Sequence, residues 1–276
     1  MLSVNTNTGA MIALQYLNKT NADLANTENQ VNTGLKVASA KDDGATYAIA
    51  QDMRADVAGY QSVTDSLNRG ISSVDVALSA GQSISDLLIE MKAKATGAAD
   101  QSLSTVDRQA MNEEFSALRD QITTIVNNAV FNNFNLVDGS ATGGITALAS
   151  SDGTRHITVQ GENLSLSGGI VMFGATASIS TQASASAMIA TVESSITNVN
   201  SALARLSSGE KKLSIQADFV SKLSDTLTAG IGNLVDADMA SESAKLTALQ
   251  TKQQLGVQAL SIANSSPQII LSLFNH

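Results

Sequence analysis

Apolar side chains recur at alternating intervals of three and four residues from Ile189 to Leu234. They run through Val192, Ile196, Val199, Leu203, Leu206, Leu213, Ala217, Val220, Leu227 and Ile231, with Glu210 and Ser224 as the only interruptions. Residues three and four apart share a helix face, so the pattern predicts one continuous helix with a single apolar seam. A second stretch of similar length carries the same signal from Ile49 to Ala95, through Met53, Tyr60, Val63, Leu67, Val74, Ala77, Ile84, Leu88 and Met91, broken at Asp56, Gly70 and Gly81. At about 1.5 Å of rise per residue each helix extends roughly 70 Å. Helices this long need partners of matching length. A seam that repeats every 3.5 residues or so favours left-handed supercoiling, which makes the two stretches natural partners.

Three further helices follow from the same reading. Ala10, Leu14, Leu17, Asn21, Leu24, Glu28, Val31 and Leu35 keep the spacing near the N-terminus, on a stripe too thin to hold a helix unless it is buried by a partner. Ser39 and Asp42 resemble a capping box, and Asp42 with Asp43 in a first turn suits the helix dipole, so the first long helix is expected to begin there. Ser104 and Asp107 offer another cap. It precedes a shorter seam of Met111, Phe115, Leu118, Ile122, Ile125 and Ala129, expected to fold back on the first long helix. The last stretch, Val235 to about Ser265 with Leu249 and Leu260, is expected to end before Pro267, leaving the apolar tail Ile269, Ile270, Leu271, Leu273 and Phe274. A terminus that apolar predicts a docking surface. Between the seams, eight of the chain's nineteen glycines fall in residues 139–174. There His156 to Gln160 and Leu164 to Ser167 alternate polar with apolar, and Asp152-Gly153 and Gly168-Gly169 mark turns. The expected fold is therefore mainly α, a long antiparallel coiled-coil-like helical bundle with a small β-hairpin segment.

Composition sharpens this. Of 276 residues 43 % are hydrophobic but only 3 % aromatic, and tryptophan is absent, which suits a thin aliphatic bundle more than a thick globular core. A net charge of -9 without any basic cluster argues against nucleic acid as a partner. No apolar run is long enough for a membrane span, so membrane insertion is not expected either. The N-terminus lacks a cationic region followed by an unbroken apolar one, so it does not read as a secretory signal peptide; by itself that would suggest the cytoplasm.

Candidate chemistry is sparse. Without cysteine there is no disulfide, thiolate site or cysteine nucleophile. His156 and His276 have no carboxylate at metal-ligand spacing, and no phosphate-cradling glycine loop with its Lys-Ser/Thr is present. Asp42-Asp43 and the run Asp236, Asp238, Glu242 read as helix starts and solvated faces, and the seam methionines as core fillers. No catalytic residue, cofactor or metal site is expected, and the chain is not expected to be an enzyme.

Five blocks, however, closely resemble bacterial flagellin in sequence, order and spacing. They are NTNT at 5 to 8, TGLKVASAKDDGATYAIA at 33 to 50, FNNFNLVDG at 131 to 139, VDADMASESAKL at 235 to 246 and SSPQIILSLF at 265 to 274. Departures are small: Thr33 stands where the family usually has Ser, and Asn133 where it commonly has Gly.

The resemblance implies a structural subunit that polymerises into the flagellar filament for swimming, in a short form lacking large outer domains. Residues 1–44 and 235–276 would pair as the inner layer. Leu14, Leu17, Leu24, Val31, Leu249, Leu260, Ile269, Ile270, Leu271, Leu273 and Phe274 would be its assembly residues. Residues 45–234 would form the rod-shaped bundle, with seam residues Met53, Tyr60, Leu67, Val74, Ile84, Leu88, Ile196, Leu203, Val220 and Leu227 and the hairpin segment at 139–182. The family also implies export through the flagellar type III machinery with a secretion chaperone and no cleavable signal peptide. Its other partners would be further copies of the chain, the filament cap and the hook-junction proteins. A hook-filament junction protein would share the terminal heptads but should match FNNFNLVDG and PQIILSLF less well. Another coiled-coil rod, such as a chemoreceptor hairpin, would not carry the strand-rich insert.

Overall fold

The heptad seams become helices nearly end to end in the computed structural model, which describes residues 6–274 and their side chains through 265. Among the described residues there are five helices, α1 (Thr8–Thr33), α2 (Gly44–Ala98), α3 (Thr105–Asn128), α4 (Gln182–Val235) and α5 (Met239–Phe274), with two small hairpins between α3 and α4. The first hairpin pairs β1 (Val130–Phe131) with β2 (Phe134–Asn135), the second β3 (Ile145–Leu148) with β4 (His156–Val159), both antiparallel. The chain divides into two compact units: Met1–Ala55 with Thr226–His276, and Asp56–Asp225.

The second unit holds the main core. Leu67, Val74, Ile84, Leu88 and Met91 of α2 and Val192, Val199, Leu206, Leu213 and Val220 of α4 are fully buried, each contributing about 1.5 to 3 kcal/mol relative to an exposed side chain. The two helices run antiparallel here. Lys92 Nζ lies 3.3 Å from Glu193, and a Cβ on Gly81 would come within 2.7 Å of Leu203, and one on Gly70 within 3.2 Å of Leu213. Gly59, Gly70 and Gly81, evenly spaced about three turns apart on one side of α2, let the insert approach the helix backbone. A Cβ on Gly59 would lie 2.8 Å from Ser151, one on Gly70 3.5 Å from Ala147, and one on Gly81 3.4 Å from Leu164. The seam breaks at Gly70 and Gly81 are thus seats for other chain segments.

The short seam folds back as expected. Ser104 caps α3 by accepting from the Asp107 N–H, Met111 packs on Gly97, and Arg108 donates to the Ala98 carbonyl at 2.8 Å. Phe115 and Ile122 are fully buried, and Phe115 meets Phe173 with ring centroids 6.2 Å apart.

The insert departs from expectation in one respect. His156 to Val159 is a strand, but its partner is Ile145–Leu148, with Ala147 and Val159 turned into the core. Leu164 to Ser167 forms no hairpin. Its backbone donors go elsewhere, Leu164 N–H to the Val137 carbonyl at 2.8 Å and Ser167 N–H to that of Phe173 at 3.0 Å, leaving a single bridge between Leu166 and Val171. Alternation reports which side chains face the core; it does not report which backbone is within reach.

In the first unit α1 and α5 lie antiparallel. Leu17 packs on Gly256, Asn21 accepts from Gln253 at 2.8 Å, and Leu35 bridges Asp236. A small separate core joins Val37, Ala50 and Val235 with Leu35, Tyr47 and Ile231. Because the first turns of α2 and the last of α4 belong to this core, the units divide at 55/56 and 225/226, inside the two long helices and away from their ends.

Two helix limits differ from expectation. The α2 cap is Asp43, which accepts from the Ala45 and Thr46 N–H groups. Asp42 belongs to the preceding turn, accepting from the Ala38 and Ser39 N–H groups. The Thr46 hydroxyl, with the Thr46 and Ala45 N–H groups, holds the Asp43 carboxyl below its ordinary range. The last helix also passes through Pro267 to Phe274, where a stop was expected.

Candidate assembly surface

Surface able to carry assembly is concentrated on the terminal helices. Along α1 the side turned to α5 reads Ala10, Ala13, Leu17, Thr20, Leu24, Thr27, Val31; Thr20, Leu24 and Thr27 are buried and the others half-buried. This corrects the expected stripe by one position at three places. Leu14, Asn21 and Glu28 are exposed, displaced by Ala13, Thr20 and Thr27, because small residues let two antiparallel helices approach where Asn or Glu would have to be desolvated. Opposite them, Glu242, Leu246, Leu249, Gln253, Gly256, Leu260 and Ala263 of α5 repeat at alternating four and three, all half-buried.

Away from that contact the pair is unusually apolar. Met11 (64 % exposed), Ile12, Leu14 and Tyr16 (69 %) of α1 and Leu255, Val257 and Ile262 (70 %) of α5 present large apolar side chains to solvent. Thr8, Met11, Ile12, Leu14, Gln15 and Asn18 line a groove of about 540 Å³. Large apolar side chains exposed together in this number are the usual mark of an interaction surface. Of the expected assembly residues, Leu24 is buried and Leu17, Val31, Leu249 and Leu260 are half-buried between the helices. Leu14 is exposed on the outer side. Ile269, Ile270, Leu271, Leu273 and Phe274 lie outside the described side chains.

Of the expected bundle seam, Leu67, Val74, Ile84, Leu88 and Val220 are buried in the second unit and Tyr60, Ile196 and Leu203 pack partly buried against its core. Met53 and Leu227 fall in the first unit, half-buried. Ile215 and Phe219, one turn apart on α4, are exposed on the second unit.

The motif blocks have local physical roles that periodicity did not reveal. In FNNFNLVDG, Asn132 and Asn133 turn the β1-β2 hairpin at φ +47° and +63°. The largely buried Asn135 donates to the Val126 carbonyl in the last turn of α3 at 2.7 Å and accepts from the Val137 N–H at 2.8 Å. It ties the end of α3 to the chain that follows. The TGLKV and VDADM blocks meet in space. Gly34 ends α1 in the left-handed conformation, Lys36 and Val37 donate to the Val235 carbonyl, and Ala237 donates to that of Gly34. Asp238 then caps α5, accepting from the Ala240 and Ser241 N–H groups, and Glu242 pairs with Lys245 at 3.2 Å.

Among the described residues no group of His, Cys, Asp and Glu could hold a metal ion, and no helix is long and apolar enough to cross a membrane. The surface can bury apolar area and form backbone-like contacts.

Residues 4–142 match the bacterial flagellin N-terminal helical region and residues 189–274 the bacterial flagellin C-terminal helical region. Over 272 residues the chain is 50 % identical to Flagellin FljK of Caulobacter vibrioides, covering 99 % of this chain and 98 % of that one. Over 283 residues it is 36 % identical to a flagellin of Brucella melitensis, covering 99 % of each. Solved structures similar in fold include Bacillus cereus flagellin, at TM-score 0.50 and 22 % identity over 55 % of this chain and 86 % of that one. A putative flagellar hook-associated protein from Vibrio parahaemolyticus gives TM-score 0.56 and 14 % identity over 71 % and 100 %.

Proposed function

The chain belongs to the bacterial flagellin family and is a structural subunit that polymerises with itself into the extracellular flagellar filament, and from that premise we propose that its paired terminal helices form the filament's inner layer. The observation that carries this reading is the apolar outer side of the first unit. Met11, Ile12, Leu14 and Tyr16 on α1 and Leu255, Val257 and Ile262 on α5 stand exposed on a helix pair whose own contact buries little. Neighbouring copies cover these side chains. Leu17, Leu24, Val31, Leu249 and Leu260 hold α1 to α5, while Leu14 and the tail residues Ile269, Ile270, Leu271, Leu273 and Phe274 reach other subunits. Residues 45–234 form the surrounding rod, whose exposed Ile215 and Phe219 suit lateral contacts with a second copy.

The same membership supports a reading of how the chain is delivered to the filament tip. The chain travels unfolded through the flagellar type III machinery, guarded by a secretion chaperone that covers the apolar ends. It is placed beneath the filament cap, above the hook-junction proteins. Its work is mechanical, transmitting rotation for swimming.

The test is electron microscopy of purified protein after seeding, comparing the unsubstituted chain with Ile262→Asp. The unsubstituted chain gives long filaments. Ile262→Asp gives none, with the melting of the second unit unchanged, because a charge must be desolvated at each subunit contact. Filaments of normal length from Ile262→Asp would remove that side of α5 from the interface.

A further inference from the structure

Asn7 sits at the N-terminus of α1 with both ends of its carboxamide occupied. The side-chain oxygen accepts from the Ala10 N–H at 3.0 Å, capping α1, and the side-chain nitrogen donates to the Ala263 carbonyl at 2.6 Å. The two partners settle the orientation of the amide, since an N–H must meet oxygen and a carbonyl must meet the NH₂. Ala263 is four residues before Pro267, the chain's only proline, and α5 continues through that proline. Proline has no N–H, so the Ala263 carbonyl lacks the donor every other interior carbonyl of an α-helix receives from four residues on. Such a carbonyl, on a residue half-buried against α1, costs stability unless something else donates to it.

We infer that Asn7 and Pro267 are a matched pair that sets the register of α1 against α5 during assembly: the proline frees one carbonyl on α5, and the Asn7 amide is the donor that finds it. Toward the C-terminal end of α1 the pairing is held by the Ala237 N–H on the Gly34 carbonyl, by Gln253 on Asn21 and by Leu17 seated on Gly256. Toward its N-terminal end the facing residues Ala10, Ala13 and Leu260 are aliphatic and set no register of their own. The Asn7–Ala263 hydrogen bond supplies the polar pin there, as a single buried polar residue does in coiled coils. Asn is required because, among good capping residues, it alone carries a capping oxygen and a separate amide donor. Ser and Asp can cap α1, but Asp has no proton to give and Ser has no amide to reach across.

The inference rests on the filament reading and is tested in the full-length chain by seeded polymerisation of Asn7→Asp and Asn7→Ser, each with and without Pro267→Ala. Pro267→Ala restores a helical N–H to the Ala263 carbonyl, so that carbonyl no longer needs the Asn7 donor. With Pro267 in place both Asn7 variants raise the critical concentration about tenfold, equivalent to about 1.4 kcal/mol; in the Pro267→Ala background the same changes raise it less than about twofold. Register is read directly with an Asn21→Cys/Gln253→Cys pair, the chain having no other cysteine. Disulfide trapping in filaments falls in Asn7→Asp, in Pro267→Ala and in the double variant alike, because none of them keeps a freed Ala263 carbonyl with a donor across from it, whereas loss of the α1 cap alone would leave trapping in Pro267→Ala unchanged; unchanged trapping in Pro267→Ala overturns the inference. Equal effects of Asn7 substitution in the two backgrounds, or none in either, overturn the inference and leave the filament reading standing. Absence of filaments from the unsubstituted chain overturns both.

Discussion

Asn133 occupies a backbone position that costs an L-residue energy. With Asn132 it places two consecutive residues at positive φ between paired strands, the pattern of a type I′ hairpin, for which Asn followed by Gly is the best sequence. Asn tolerates the left-handed region better than other side chains, but glycine meets no steric penalty there. Asn133→Gly is expected to stabilise the second unit by about 0.5 to 1 kcal/mol, raising its melting midpoint by a few degrees. A lower midpoint in calorimetry would mean the Asn133 side chain makes a contact worth more than the strain. The departure from the family's glycine was visible in the sequence, and its cost only in the backbone. Asp152 is a second residue-scale case. The Ser150 hydroxyl, then the Thr154 N–H and hydroxyl, donate to its carboxylate and hold its carboxyl at about 2, against an ordinary 3.8. A carboxyl depressed on folding stabilises the folded state above its unfolded value, and that contribution is lost as pH falls from about 4 toward about 2. Titration of the Asp152 side-chain carboxyl by NMR should show a midpoint near 2 in the native protein; one near 3.8 would show that the turn does not hold these donors in solution.

For the helices, the contrast between the two units decides behaviour. In the second unit α2 and α4 share a continuous core of fully buried Leu, Ile, Val and Met. Between α1 and α5, by contrast, α1 buries only Thr20, Leu24 and Thr27, two of them threonines, and no described side chain of α5 through residue 265 is fully buried. A contact so thin offsets little of the cost of ordering two helices. Amide exchange in the monomer should therefore be fast at Leu14 and Leu260 and slow at Leu67 and Leu213, with the terminal amides becoming protected only in filaments. Strong protection of Leu260 in the monomer would contradict this. The same element-scale reading explains why α5 runs on through Pro267. A missing N–H ends a helix when nothing replaces the lost bond, and here Asn7 supplies a donor to the freed carbonyl.

At the scale of the whole molecule, stability and assembly are separable because they draw on different residues. Removing residues 268–276 takes away Ile269, Ile270, Leu271, Leu273 and Phe274, each worth about 1.5 to 3 kcal/mol if fully buried, so on the order of 10 kcal/mol per subunit leaves the assembly. Losing half of that weakens association by more than about three decades. The core of Leu67, Ile84, Val199 and Leu213 is untouched. Seeded polymerisation, read by sedimentation, should be abolished while the melting midpoint of the second unit stays within a few degrees. Normal filaments would refute the assembly role of this end, and a collapsed midpoint would place these residues inside the monomer fold.

Periodicity alone determined that the chain is built from long helices, where the α2 and α4 seams lie from Met53 and Ile189 onward, and that residues 139–174 are something else, because burial on one face of a helix writes itself into spacing. The five motif blocks added the family and with it the filament. Spacing could not reveal what depends on backbone groups far apart in sequence. Gly59, Gly70 and Gly81 lie against the insert, although in the sequence Gly70 and Gly81 read only as interruptions of the seam. Leu164 to Ser167 alternates like a strand, yet its donors go to Val137 and Phe173. Along α1 the seam of Leu14, Asn21 and Glu28 and the neighbouring one of Ala13, Thr20 and Thr27 are nearly equivalent in period, and only the approach of α5 chose between them. Hydrophobic pattern is a property of one segment facing an unspecified interior; register, seats for close packing and the destination of a freed carbonyl exist only once a second segment has arrived.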